Sequence, residues 1–179
     1  MRYVGVDVSL TNTAVVSIDK DGKITSSIGK IGYTLSDDDD VWKETERAVI
    51  ITNAVVGFID GCKFSAIEGY AYQAKGKRTY QIGELGGMIR SEIFKRSWNH
   101  KPVFISPTSL KKFATGGGRA DKKKIRECVE IIWGFDCKDD NIVDAFVLAQ
   151  MMRYSDPDLR DLVPMMDFQL DALKASGLL

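Results

Sequence analysis

The 179-residue sequence has one histidine, four prolines and three cysteines. A lone imidazole, His100, leaves little scope for a His-based zinc site or a Ser-His-Asp triad. Cys62, Cys128 and Cys137 are odd in number, far apart and without metal-ligand spacing, which argues against a disulfide framework and for a reducing compartment. No run of about 18 apolar residues occurs, and the opening MRYVGVDVSL alternates instead, so neither a membrane span nor a signal peptide is expected. There is no internal repeat and no linker long enough to separate two domains. Any catalysis must lean on carboxylates.

Apolar residues at 44% and charged residues at 28% are values of an ordinary globular domain. The 25 basic and 25 acidic side chains cancel, but unevenly. Residues 75–126 hold 14 lysines and arginines against Glu84, Glu92 and Asp121, a local balance of +11 that leaves −11 for the remainder. Such a block fits a polyanion-facing surface, because clustered cations release counterions from phosphates. It fits equally a solvated face offset by acidic segments elsewhere.

Hydrophobic spacing predicts strands over 3–8, 13–18 and 24–34, with Asp21-Gly22 as the turn between the second and third. The acidic run Asp37–Asp40 reads as a surface loop and helix N-cap, and a helix is expected from Val41 to about Asp60. A short strand, 64–68, ends on Glu68. A helix over about 80–98 carries Ile82, Leu85, Ile89 and Ile93, a stripe that serves either a partner or the sheet. Then come a strand, 102–106, closed by Pro107, a glycine loop at Gly116–Gly118, and helices over 120–133 and 140–154. In the first of these, Ile125, Cys128, Val129 and Ile132 are expected inward. A final amphipathic segment covers 168–173. Strands alternating with helices imply an α/β fold, a mixed five-stranded sheet with helices on both faces. The element order is that of the ribonuclease H-like architecture, though actin-like folds share much of it.

Three acids stand in apolar surroundings: Asp7 between Val6 and Val8, Glu68 after Ala66-Ile67, and Asp144 within the helix NIVDAF. An ionised carboxylate there is costly unless paired or bound to a cation. Three such acids suit Mg²⁺, which takes oxygen ligands, and two ions can activate a water and stabilise a leaving oxygen in phosphoryl transfer. Asp140 and Asn141 share a helical face with Asp144. Asp140, like Asp139, serves as a cap equally well, and for Glu68 the alternative is a surface acid at a strand end. The glycine loop lacks the GxxxxGK[ST] spacing and does not directly follow a strand, so no nucleotide cofactor is expected.

The sequence resembles the RuvC family of Holliday junction resolvases, particularly its compact phage forms. The resemblance rests on ordered matches: VGVDVS with Thr11–Val15, Ala66-Ile67-Glu68, GELGG at 83–87, VFISPTSLKK at 103–112, GGGRADKKKI at 116–125 and DNIVDAFVLA at 140–149. It implies a ribonuclease H-like nuclease domain over 1–155 and a tail, 156–179, packed on the domain or on a dimer partner. It implies a site of Asp7, Glu68 and Asp144 holding two Mg²⁺ ions, with Mn²⁺ able to substitute. Lys111 and Lys122 match the family's functional lysines, with Lys112 and Lys123 one residue away. Where the family usually has an aspartate or histidine, three residues before the last acid, this chain has Asn141. Either Asn141 serves as a neutral ligand or Asp140 substitutes.

The segment after Glu68 alternates aromatic and basic residues. Tyr70 and Tyr72 suit stacking at a junction, with Lys75, Lys77 and Arg78 on phosphates. The alternative is that the tyrosines complete the core. Lys112, Arg119 and Lys124 are further DNA-binding candidates. The implied activity is metal-dependent cleavage of branched DNA by a homodimer, in the bacterial host cytoplasm if the chain is phage-encoded. The competing readings are a flap, fork or RNA–DNA hybrid nuclease of the same fold and a non-catalytic branched-DNA binding module.

Overall fold

In the computed structural model, residues 1–36, 39–69, 77–96 and 101–179 are described. Strands β1 (Tyr3–Asp7), β2 (Thr13–Ile18) and β3 (Ile24–Ile31) form the opening meander. The remaining strands are β4 (Phe64–Glu68) and β5 (Val103–Ile105). Their order across the sheet is β3-β2-β1-β4-β5, with β1, β4 and β5 parallel and β2 antiparallel to both its neighbours. The expected mixed five-stranded sheet is therefore present. Its β2–β3 turn is held by Asp19, whose carboxylate accepts the Asp21 and Lys23 N–H groups.

Helices cover both faces. Alternation along β1 sends Val4 and Val6 to one side and Tyr3, Gly5 and Asp7 to the other. The first side meets α1 (Val41–Ile59) and α2 (Lys77–Arg96) through Ile51, Val55, Ile59, Leu85 and Ile89. The second meets α5 (Asp140–Tyr154), which is apolar nearly all round and lies in the middle of the protein. Around α5 stand α3 (Pro107–Thr115), α4 (Lys122–Trp133) and α6 (Asp167–Ala175). Trp133 lies 5.9 Å from both Phe113 and Phe146, and its Nε1–H donates to the Tyr154 hydroxyl. These rings join α3, α4 and α5.

Several expectations change. The third strand stops at Ile31 instead of continuing to Thr34, because Lys30 and Gly32 both take positive φ. At Gly32 a Cβ would lie 2.4 Å from the Leu10 carbonyl oxygen, so the chain can turn there only without a side chain. The first strand ends at Asp7, one residue before Val8. Pro107 begins a helix where a terminator was expected: its fixed φ suits N1, and Ser106 caps it by accepting the Ser109 N–H. Helix α2 starts at Lys77, before the expected Tyr80, and its described length ends at Arg96. Its stripe is not a free face, since Leu85, Ile89 and Ile93 are buried in the protein's own core and Ile82 packs at its edge. On α4 only Ile125 and Val129 are buried, while Cys128 and Ile132 are half-exposed.

The C-terminal residues pack on this same body. Asp156, fully buried, accepts hydrogen bonds from the Tyr3 hydroxyl and, at 2.7 Å, from Lys63 Nζ. Burial pushes its carboxyl up, but the Lys63 and Tyr3 bonds outweigh that and hold it below the ordinary aspartate range. Beyond it, α6 lies against α3, with Ala172 and Leu173 buried and Phe168 over Gly116. Among the described residues no helix is long and apolar enough to cross a membrane.

The tightest contact in the fold is between β1 and α5. A Cβ on Gly5 would lie 2.0 Å from the Ala145 carbonyl oxygen and 2.5 Å from the Ala149 nitrogen, both backbone atoms that cannot swing aside. Gly5→Ala is expected to lower the unfolding free energy by about 3 kcal/mol. Urea unfolding measures it, and a loss under about 1 kcal/mol would contradict this packing.

Candidate active site

Strand register and period bring the first two acids together. Val6 pairs with Ile67, so the next residues, Asp7 and Glu68, end adjacent parallel strands. Gly5 and Ala66 share the α5 face, and two residues further along each strand so do Asp7 and Glu68. Strands in a sheet run about 4.8 Å apart, which leaves the two carboxyls side by side. Asp144 reaches them from the second turn of α5, placed there by the Gly5–Ala145 contact.

The electrostatics follow from that convergence. Asp7 is 7% exposed, and its carboxyl is pushed up to about 9 by burial, by a hydrogen bond with Glu68 and by the charges of Glu68 and Asp144. Asp144 is pushed up to about 7, by burial and then by Glu68. Two lysines oppose the rise: Lys122 acts on both acids, and Lys111 on Asp144. Among the described residues no three Asp, Glu, His or Cys side chains close into a finished metal cage. The donor set itself, three converging carboxylates with no sulfur or imidazole, fits a hard divalent cation, whose charge would relieve their mutual repulsion.

The other candidates divide by their contacts. Asp139 caps α5, accepting the Asn141 and Ile142 N–H groups, so the capping role falls to it and not to Asp140. Asp140 faces α4: Oδ2 is 3.4 Å from Lys122 Nζ, and Oδ1 is 3.3 Å from Arg126 Nη1 without hydrogen-bond alignment. Asn141 donates from Nδ2 to the Asn12 carbonyl, and Asn12 Oδ1 in turn accepts the Lys30 N–H at 2.8 Å. The amide thus ties α5 to the β1–β2 turn, which a carboxylate in its place could not do. No sequence pattern pointed to Asn12 or Arg126, because their partners are distant along the chain.

Lys111 and Lys112 are half-buried on α3, whereas Lys122, Lys123 and Lys124 are exposed in the first turn of α4. Lys123 pairs with Glu127 at 3.9 Å, along its own helix. Three cations against the positive end of a helix dipole are locally unfavourable, and the Asp121 cap, Asp140 beside Lys122 and Glu127 beside Lys123 offset them in part. Local rules are broken in this way chiefly where a surface has another task. Arg119 lies exposed on the loop before α4. Tyr70, Tyr72 and Lys75 lie outside the described residues, as do the side chains of Lys77 and Arg78.

No family model matches the chain, and no curated protein matches it in sequence. Solved structures do match. Thermus thermophilus RuvC aligns over 99% of this chain and 98% of its own, with a TM-score of 0.67 and 16% identity. The chain has the RuvC fold. T. thermophilus RuvC in complex with its Holliday junction substrate aligns over 83% of this chain and 90% of that one, with a TM-score of 0.64 and 16% identity. The fold matches the expected ribonuclease H-like architecture.

Two outcomes are expected of the metal-free protein. Asp7 binds its proton more tightly folded than unfolded, so its contribution to stability falls as pH rises from the ordinary value of 3.8 to about 9. Asp7→Asn, neutral throughout, should match the parent in thermal melts near pH 4 and exceed it at pH 8, by an amount on the order of 2 kcal/mol. A variant less stable than the parent at pH 8 would contradict the burial of this charge. Separately, Asn141→Ala removes one donor, whereas Asn141→Asp sets a carboxylate against the Asn12 carbonyl. The aspartate variant should therefore melt lower than the alanine variant, and the opposite order would remove the tie to Asn12.

Proposed function

We propose that this protein is a metal-dependent, structure-selective DNA endonuclease that resolves four-way junctions by paired phosphodiester hydrolysis. The observation that carries the reading is the convergence of Asp7, Glu68 and Asp144 at the C-terminal ends of β1 and β4, on a RuvC fold and beside two lysines. Acids whose ionisation is suppressed until a cation arrives are what such a site requires.

Asp7, Glu68 and Asp144 would hold two Mg²⁺ ions, or Mn²⁺ in their place, with Asn141 or Asp140 as the further oxygen donor. Bound there, such ions would supply Lewis acidity and an activated water. The chain's own residues do the rest. The three carboxylates fix the position of the reacting phosphate relative to the sheet. Lys111 and Lys122, whose fields already reach Asp144, offset negative charge that grows on the phosphoryl oxygens, and Lys112 and Lys123 flank them. Lys124 and Arg119 extend the positive surface toward the flanking phosphates. Tyr70 and Tyr72 stack on unpaired bases, with Lys75, Lys77 and Arg78 holding the backbone. Two symmetric cuts need two sites, hence a homodimer. The substrate of the T. thermophilus neighbour, a Holliday junction, supports the choice of a four-way junction. Three cysteines that form no disulfide fit a reducing compartment, the bacterial host cytoplasm if the chain is phage-encoded.

The test is cleavage of a labelled four-way junction beside duplex, flap and RNA–DNA hybrid, in Mg²⁺ and in EDTA. Paired nicks on opposed strands, lost in EDTA and reduced at least 10³-fold in Asp7→Asn, are expected. Cleavage of flap or hybrid alone would move the substrate and keep the site. Junction binding without cleavage in either metal would make the protein a binding module.

A further inference from the structure

Two neighbouring helices set four charges against one another at the edge of the carboxylate site. On α4, Lys122 and Arg126 are four residues apart and share a face; on α5, Asp140 and Asp144 do the same. Like charges at that spacing weaken a helix, and Lys122 also stands against the positive end of the α4 dipole. The two pairs answer each other across the helix contact. Lys122 Nζ is 3.4 Å from Asp140 Oδ2, and Arg126 Nη1 is 3.3 Å from Oδ1. Lys122 in turn acts on Asp7 and Asp144.

The fold leaves Asp140 one oxygen to offer. Oδ1 is closed off from solvent and accepts no hydrogen bond, since Arg126 Nη1 donates instead to the Lys138 carbonyl at 3.4 Å. Oδ2 is the atom beside which Lys122 stands. A metal ion would reach Asp140 only by displacing that ammonium, with Arg126 left next to it as a further positive charge. Lys122 has the complementary difficulty. With divalent ions on Asp7, Glu68 and Asp144 it is repelled from the site, yet a phosphate arriving there calls for a cation in that place. A carboxylate that binds the lysine and not the metal removes the conflict.

We propose that Asp140 is a positioning residue: it takes no part in metal binding and holds Lys122 beside the three carboxylates while divalent ions occupy them. The inference rests on the nuclease reading, in which Lys122 faces the scissile phosphate. Of the two further oxygen donors open to the metal, it removes Asp140.

Calorimetric titration of Mn²⁺ into the DNA-free protein tests this, with Asp140 and Lys122 changed singly and together. Lys122→Met, which removes a competing cation, should tighten Mn²⁺ binding by about threefold or more. Asp140→Asn should weaken it by about fivefold or more, because Lys122 then turns to the carboxylates, but by no more than about twofold once Lys122→Met is present. A loss as large in that background as in the parent makes Asp140 a metal ligand and overturns the inference. On a four-way junction in saturating Mg²⁺, Asp140→Asn should lower kcat by about tenfold or more with KM within about threefold. Asp140→Glu, which keeps a carboxylate for the lysine, should recover most of that loss. An Asp140→Asn protein that binds Mn²⁺ and cuts as the parent does overturns the inference and leaves the nuclease reading intact. A parent that binds no Mn²⁺ and cuts no branched DNA overturns both.

Discussion

The close approach of β1 to α5 at Gly5 is the constraint on which the rest of the structure depends. With a backbone carbonyl 2.0 Å from where a Cβ would stand, the strand and helix are locked at a separation that no other residue permits. That separation sets how far Asp144 stands from Asp7. It also lets α5 serve as the centre of the main core, where Ala145 and Ala149 meet Gly5 of the sheet and Phe146 meets Trp133 of α4. The site is therefore not an addition to the fold. It is the open end of the same interface.

That interface holds its acids against their electrostatic preference. Burial and mutual repulsion push Asp7 to about 9 and Asp144 to about 7, and the lysines of α3 and α4 compensate only in part. A core that keeps such a group trades stability for a pocket that favours a cation. The surroundings are arranged to hold this geometry: Asp139 caps α5, Asp140 ties it to α4 through Lys122 and Arg126, and Asn141 ties it to the β1–β2 turn. A fourth carboxylate at position 141 would add charge to an already repelling cluster and lose the bond to Asn12. The substitution of an amide there is consistent with a site that uses three acids and a structural tie.

Much of this was legible in the sequence because it is local. Short apolar runs showed β1, β2 and β4, and an acid at the end of an apolar strand is conspicuous whether or not its partner is known. Asp7 and Glu68 stood out for that reason and Asp144 as an acid within an apolar helix, and the sheet with helices on both faces followed from element order. Helix α3 was hidden because proline both ends strands and starts helices, and only the Ser106 cap distinguishes the two here. The stripe on α2 was ambiguous between partner and core, a choice that depends on where α1 lies. The Asn12–Asn141 bond joins segments far apart in the chain, and no spacing rule reaches across that distance.

The most direct measurement of the central claim is anomalous diffraction from crystals of the protein soaked in Mn²⁺. The account predicts density bounded by the carboxylates of Asp7, Glu68 and Asp144, with Asp140 still paired to Lys122 and Arg126. Manganese bound elsewhere, or three carboxylates that remain without a cation at saturating Mn²⁺, would contradict it.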